Sequence, residues 1–232
     1  MKILAIDSTA NTSTVALLEN DTLISIYTVN TKNTHSEMLL PMVKSLLDSS
    51  RITADDIDAF AVANGPGSFT GVRIGVATIK GLAFGKDKKC VAVSTTEALS
   101  VNLEGFDGLV CPIMNARRGQ VYTCIYKDGK PLIDECCMML DDLIPILEKY
   151  NESIFFTGDG YDLTLDKEIK NKKPTPEYLR YSNAYGVGKV AYKKILNGEY
   201  TTDFDLRVNY LRKPQAERER LERLQKENNE NK

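Results

Sequence analysis

The chain has 232 residues, 42% hydrophobic and 27% charged, with a formal net charge of -2. That length allows one large or two modest domains with a real core, and the near-neutral balance gives no global field to attract nucleic acid or a membrane surface. No run approaches the ~18 apolar residues of a membrane span, and none of the five cysteines has Cys-x-x-Cys spacing. Buried, reduced thiols in a cytoplasmic protein are therefore expected, rather than a disulfide framework or a zinc site.

The sequence opens on strand-like Ile3 to Ile6, without a charged-then-apolar export pattern, and that strand ends at Asp7-Ser8-Thr9. An aspartate there, followed by hydroxyls, suits either a metal–phosphate group or a cap on its own turn. Strands at about 14–18 and 23–29, joined through Glu19-Asn20-Asp21, give hairpin character. Thr34-His35-Ser36-Glu37 has capping-box spacing and opens a helix with Leu39, Val43, Leu46 and Leu47 on one face and Met38 and Met42 beside it. His35 is the only histidine; a metal site or a general base built on it needs partners that the local sequence does not supply.

An apolar run, 59–63, leads into Asn64-Gly65-Pro66-Gly67-Ser68-Phe69-Thr70-Gly71-Val72-Arg73-Ile74-Gly75. The turn is neither the dinucleotide fingerprint nor a phosphate-binding loop; it reads as a structural turn or as an amide cradle for an anion or partner. Val72, Val76, Ile79 and Ala83 have the period of one helical face over about 70–84. The stripes Gly71/Gly75 and Ala77/Gly81/Gly85 predict close approach by another helix or backbone, because glycine otherwise costs a helix about 1 kcal/mol per position.

A short strand at 91–93 and a helix starting at Thr95 close the first half, and Gly105-Phe106-Asp107-Gly108 marks a junction. The second half restarts with a strand at 109–114 and a strand at 121–126 with Val121, Thr123 and Ile125 on one side. Arg117 and Arg118 lie between them, placed for an anion or for an ion pair across the two halves. A helix over 141–150, a strand at 154–157 ending in Gly158-Asp159-Gly160 and a helix over 182–196 follow. Beyond Arg212 the chain is almost wholly polar, with Glu219/Arg223 and Glu222/Lys226 at helical spacing.

Residues 1–9, the segment His35 to Pro41, and above all Gly65 to Gly75 together resemble the bacterial TsaB (YeaZ) family; Ala116 to Tyr122 and Tyr210-Leu211-Arg212 agree with it. The resemblance covers about residues 1–212. It implies an α/β actin-like, sugar-kinase and heat-shock-ATPase (ribonuclease-H-like) fold of two related domains, 1–105 and 106–211. The helix at about 182–196 would pack back toward the first domain, and 212–232 would be a charged tail.

By the same resemblance the function is a non-catalytic accessory role in making N6-threonylcarbamoyladenosine at position 37 of tRNA. The chain would bind and activate a TsaD-like transferase, with a TsaE-like ATPase completing the assembly, self-pair when alone, and meet tRNA only through the complex. ATP and a metal would belong to the partner proteins. This chain would have no cofactor or metal of its own, and at most weak nucleotide binding in a vestigial cleft at Asp7, Ser8, Thr9, Gly65, Gly67, Gly158 and Gly160. The partner interface is expected on the two helices at about 36–48 and 70–84, through His35, Met38, Leu39, Met42, Phe69, Thr70, Val72, Arg73, Gly75, Val76, Ala77, Ile79 and Lys80, burying about 1,200–2,000 Å². Asn115 departs from the aspartate more common in relatives, which weakens a metal–nucleotide role for the cleft. The alternative is a nucleotide-dependent kinase or ATPase of the same fold, working through Asp7.

Overall fold

The computed structural model describes residues 1–31 and 34–212. The chain builds two mixed sheets with the same strand order. In the first, β1 (Lys2–Asp7) pairs antiparallel with β2 (Ser13–Glu19), and β2 with β3 (Thr22–Val29). On its other side β1 runs parallel to β4 (Ala59–Ala63), and β4 to β5 (Lys89–Val93). The order is β3-β2-β1-β4-β5.

The second sheet repeats it. Strand β6 (Leu109–Asn115) is antiparallel to β7 (Gln120–Thr123), while β8 (Tyr126–Lys127) pairs with β6 and with β9 (Lys130–Pro131). Strand β10 (Cys136–Met139) is antiparallel to β7, and β11 (Ile154–Thr157) is parallel to both β6 and β12 (Lys172–Lys173). The path β10-β7-β6-β11-β12 has the same directions, position for position, as the first sheet. This duplicated plan is the actin-like, ribonuclease-H-like architecture.

Strand alternation sends side chains to two cores. Leu4, Ile6, Val15 and Leu17 face α1 (His35–Ser49) and α2 (Phe69–Ala83), whose Leu39, Met42, Leu46, Val72, Val76 and Ile79 complete that layer. Ile3, Ala5, Ala16 and Leu18 face the opposite way, onto α5 (Ala184–Leu196) and α3 (Thr95–Ser100). Helix α5 thus comes from the second half of the sequence yet lies on the first sheet. Its Gly186 and Gly188 allow this, since a Cβ would overlap the Ala98 carbonyl at one and Leu18 at the other. Helix α4 (Leu140–Glu148) covers the second sheet through Leu140, Leu143 and Leu147.

Three expectations change. The run 121–126 is not one strand: the ladder breaks at Cys124-Ile125, although Ile125 still joins Val121 in one core while Cys124 and Tyr126 enter the other. Strand β10 was not legible, because Cys136-Cys137-Met138-Met139 lacks alternation. The Ala77/Gly81/Gly85 stripe is not a packing seam within the chain. A Cβ on Gly81 meets nothing within 4 Å, and Gly85 lies beyond the helix end. The polar segment beyond Arg212 lies outside the described residues.

Candidate functional site

The carboxyl ends of β1, β4, β6 and β11 converge on a cleft of about 640 Å³ between the sheets. Thr9 and Gly67 line it from the first half, and Asn115, Arg117 and Asp159 from the second. Asp7 sits behind the wall, fully buried. Its Oδ1 accepts from the Thr9 N–H at 2.8 Å and the Thr9 hydroxyl at 2.7 Å, an Asx-type turn, while Oδ2 is buried without a partner among the described residues. Burial raises its pKa, against the opposing pull of the two Thr9 bonds. Asp159 opens onto the cleft but is ringed by protein. That desolvation raises its pKa, the Asn115 N–H bond to Oδ1 at 2.9 Å opposes the rise, and the Asp7 carboxylate adds to it.

The glycines serve backbone contact more than ligand contact. Gly65, in a cis bond to Pro66, leaves no room for a Cβ beside the Asn209 carbonyl, nor does Gly67 beside the Thr9 carbonyl. Ser68 N–H donates to that same Thr9 carbonyl at 2.7 Å. Gly158 and Gly160 both back onto the Ile113 carbonyl, to which Gly160 N–H donates at 3.0 Å. Of the seven predicted cleft residues only Thr9 and Gly67 line the large cleft; Gly158 lines a smaller cavity behind Asp159, and Asp7, Ser8, Gly65 and Gly160 support the walls. Ser8 is buried, its hydroxyl donating to the Gly71 carbonyl at 2.8 Å.

The predicted partner residues separate by burial. Thr70, Arg73 and Ala77 are exposed, and His35, Met38, Phe69 and Lys80 are half-buried. Leu39, Met42, Val72, Gly75, Val76 and Ile79 are buried within the chain, so they cannot present a contact surface. They carry the core side of the same helices. The Gly71/Gly75 stripe is also internal: a Cβ on Gly71 would overlap the Ser8 carbonyl, and one on Gly75 would crowd Ser8 Oγ at 2.7 Å and Val62 at 3.2 Å. His35 Nδ1 lies 2.7 Å from Ser13 Oγ, and burial lowers its pKa while a backbone bond at Ala10 opposes this.

A further wall of the cleft comes from residues 209–212, where the only sequence signal is Tyr210-Leu211-Arg212 as a family motif. Leu206 plugs the first core, Asn209 N–H donates to the Asn64 carbonyl at 2.8 Å, and Asn64 Nδ2 donates to the Arg207 carbonyl at 3.0 Å. Arg212 Nη1 then reaches the Ala116 carbonyl of the other half at 2.9 Å. Arg117 and Arg118 both have positive φ, and neither forms an ion pair among the described residues.

A duplicated actin-like fold with a cleft whose wall aspartate is turned into its own loop defines the class. A family model described as TsaD, tRNA N6-adenosine threonylcarbamoyltransferase, matches residues 24–218. The tRNA threonylcarbamoyladenosine biosynthesis protein TsaB of Bacillus subtilis is 41% identical over 173 residues, covering 73% of this chain and 75% of that one. Its Escherichia coli counterpart is 37% identical over 129 residues, 55% of each. A Pseudomonas aeruginosa crystal structure, of a protein with similarity to peptidase YeaZ, superposes with a TM-score of 0.78 at 26% identity, over 91% of this chain and 99% of that one. The chain belongs to the TsaB (YeaZ) family.

Proposed function

We propose that the chain is an accessory subunit of tRNA threonylcarbamoyladenosine formation, one that binds and activates a TsaD-type transferase and does no chemistry itself. The observation that carries this reading is the pairing of a match to the transferase family model over residues 24–218 with the loss of the transferase's histidine pair. His35 is the chain's only histidine and is held at Ser13. Residue 39, one helical turn on, is a leucine sealed in the core. Asp7, fully buried and committed to Thr9, is poorly placed to act as a kinase aspartate, which disfavours the nucleotide-dependent alternative.

The partner surface on this reading is the exposed side of α1 and α2 around Met38, Thr70, Arg73 and Ala77, with a second copy of the chain taking that place when the transferase is absent. A TsaE-like ATPase would join the assembled pair, tRNA would be met through the complex, and the setting would be the cytoplasm. The test is threonylcarbamoyl transfer to unmodified tRNA by the transferase with and without this chain. Stimulation by the chain, together with no ATP turnover or transfer by the chain alone, is expected. Transfer unaffected by the chain, or ATP hydrolysis by the chain that Asp7→Ala abolishes, would overturn the reading.

A further inference from the structure

Behind the large cleft, separated from it by Ala10, Asn11 and Asp159, lies a second cavity of about 240 Å³, a volume that holds one sugar-sized ring. Thr12 and Ser182 line it. Both are buried, and the hydroxyl of each has no hydrogen-bond partner among the described residues. Buried hydroxyls are nearly always paired, so two unpaired ones around a single cavity point to a missing polar occupant.

The rest of the lining says what kind. Arg180 is locked in place, its guanidinium 3.8 Å over the Tyr161 ring and its Nε donating to the Thr175 carbonyl at 2.8 Å. Its terminal nitrogens have no acceptor among the described residues and remain as donors. Asp162 carries no hydrogen bond or ion pair among the described residues, and Glu177 uses Oε1 alone, accepting from the Tyr181 hydroxyl at 2.8 Å. With Asp159, three carboxylates face one guanidinium. That excess of negative charge repels a phosphate or a free carboxylate, whereas adjacent hydroxyls donate to carboxylates while accepting from Arg180, Thr12 and Ser182.

We propose that this cavity binds a neutral vicinal diol of a sugar ring, with the carboxylates of Asp162 and Glu177 accepting its hydroxyls and Arg180, Thr12 and Ser182 donating to its oxygens. The diol can come from a free sugar or from the ribose of a nucleoside. The site lies apart from the exposed helix face assigned to the partner protein.

The test is ligand-observed saturation-transfer NMR on the full chain with D-ribose, adenosine and inorganic phosphate as separate probes. Transfer from ribose that weakens about tenfold in Asp162→Asn and in Ser182→Ala is expected. Transfer from adenosine alone, with the same loss in both variants, supports the site with a nucleoside as its source. Ser182→Ala removes an unpaired buried hydroxyl and should not lower the melting temperature, which separates lost binding from lost folding. Absence of transfer from both ribose and adenosine, transfer undiminished in the variants, or displacement of the signal by inorganic phosphate would each overturn the proposal.

Discussion

Tyr210 stacks on Phe69 with ring centroids 4.9 Å apart, and its hydroxyl accepts from Arg73 Nε at 2.6 Å while the Arg73 guanidinium lies 3.7 Å over the Phe69 ring. Three side chains from two distant parts of the sequence thus form one layered unit on the outer turn of α2. It fixes residues 207–212 against the Gly65 turn. An aromatic pair contributes about 0.5–1.5 kcal/mol beyond area burial, and an exposed cation–π contact about 0.5–1 kcal/mol. Tyr210→Ala should therefore cost about 1–2 kcal/mol and raise amide exchange at residues 64–66, measured by denaturant melts and hydrogen exchange. Unchanged exchange there would mean that the segment is held by Leu206 and Asn209 alone.

The glycines of α2 should divide into two kinds. Gly71→Leu and Gly75→Leu place bulk against Ser8 and Val62 inside the fold, so little folded protein is expected; overpacking of this kind typically costs 1–3 kcal/mol or more. Gly81→Leu meets open space, and Ala77→Arg extends from an exposed site, so both should melt within about 1 kcal/mol of the parent. On the proposed function, Ala77→Arg should nevertheless weaken association with the transferase. Circular dichroism melts paired with co-elution distinguish the two classes.

Asp7 gives a pH dependence with a definite sign. Its folded pKa lies above the unfolded value because of burial, so the folded state holds the proton more tightly. Stability contributed by the protonated form is full below the unfolded value of 3.8 and is lost as pH rises through the folded pKa. Asp7→Asn keeps an acceptor for Thr9 and carries no charge, so it should stabilise the chain at neutral pH by at least about 1 kcal/mol, or ~2–4 °C in melting temperature. It should also flatten the acid limb of the stability profile. A destabilised Asp7→Asn chain would show that the buried carboxylate has a partner it needs.

His35 runs the other way. Its folded pKa is lowered by burial, so the unfolded chain binds the proton more readily. Stability is full above the unfolded value of 6.5 and falls as pH drops below it, down to the folded pKa. NMR titration of the single imidazole should give a midpoint below 6.5, and His35→Gln should remove that part of the profile.

The thiols should be unreactive where burial is deepest. Cys111 is pushed up to about 12 and Cys90 and Cys124 to about 11, each chiefly by burial. Thiol titration with an aromatic disulfide near pH 8 should label Cys136 and Cys137, the two cysteines at intermediate burial, well before the others. All five should react after denaturation.

Much of the fold could be read from local pattern. The periods of 2 and 3.6 located β1 to β6 and all five helices to within a few residues, because each element has one strongly apolar face. Strand β10 escaped because both its faces are half-buried, and the break after Thr123 escaped because alternation continues through it. The site was harder. Glycine at 71 and 75 signals close approach, but sequence does not say whether the approaching backbone belongs to Ser8 or to another chain. Met42, Val76 and Ile79 look alike as a partner stripe or a core stripe until the sheet beneath them is in place. The strand-tip aspartate at 159 and the wall at 209–212 acquire meaning only when two distant segments meet.

The account stands or falls on the partnership with the transferase. Mass-resolved gel filtration of this chain alone and mixed with its cognate TsaD-type transferase tests it most directly, with Ala77→Arg run alongside. The account predicts self-association alone, conversion to a one-to-one hetero-complex on mixing, and loss of that complex in Ala77→Arg without loss of folding. Two proteins that elute independently at micromolar concentration would contradict it.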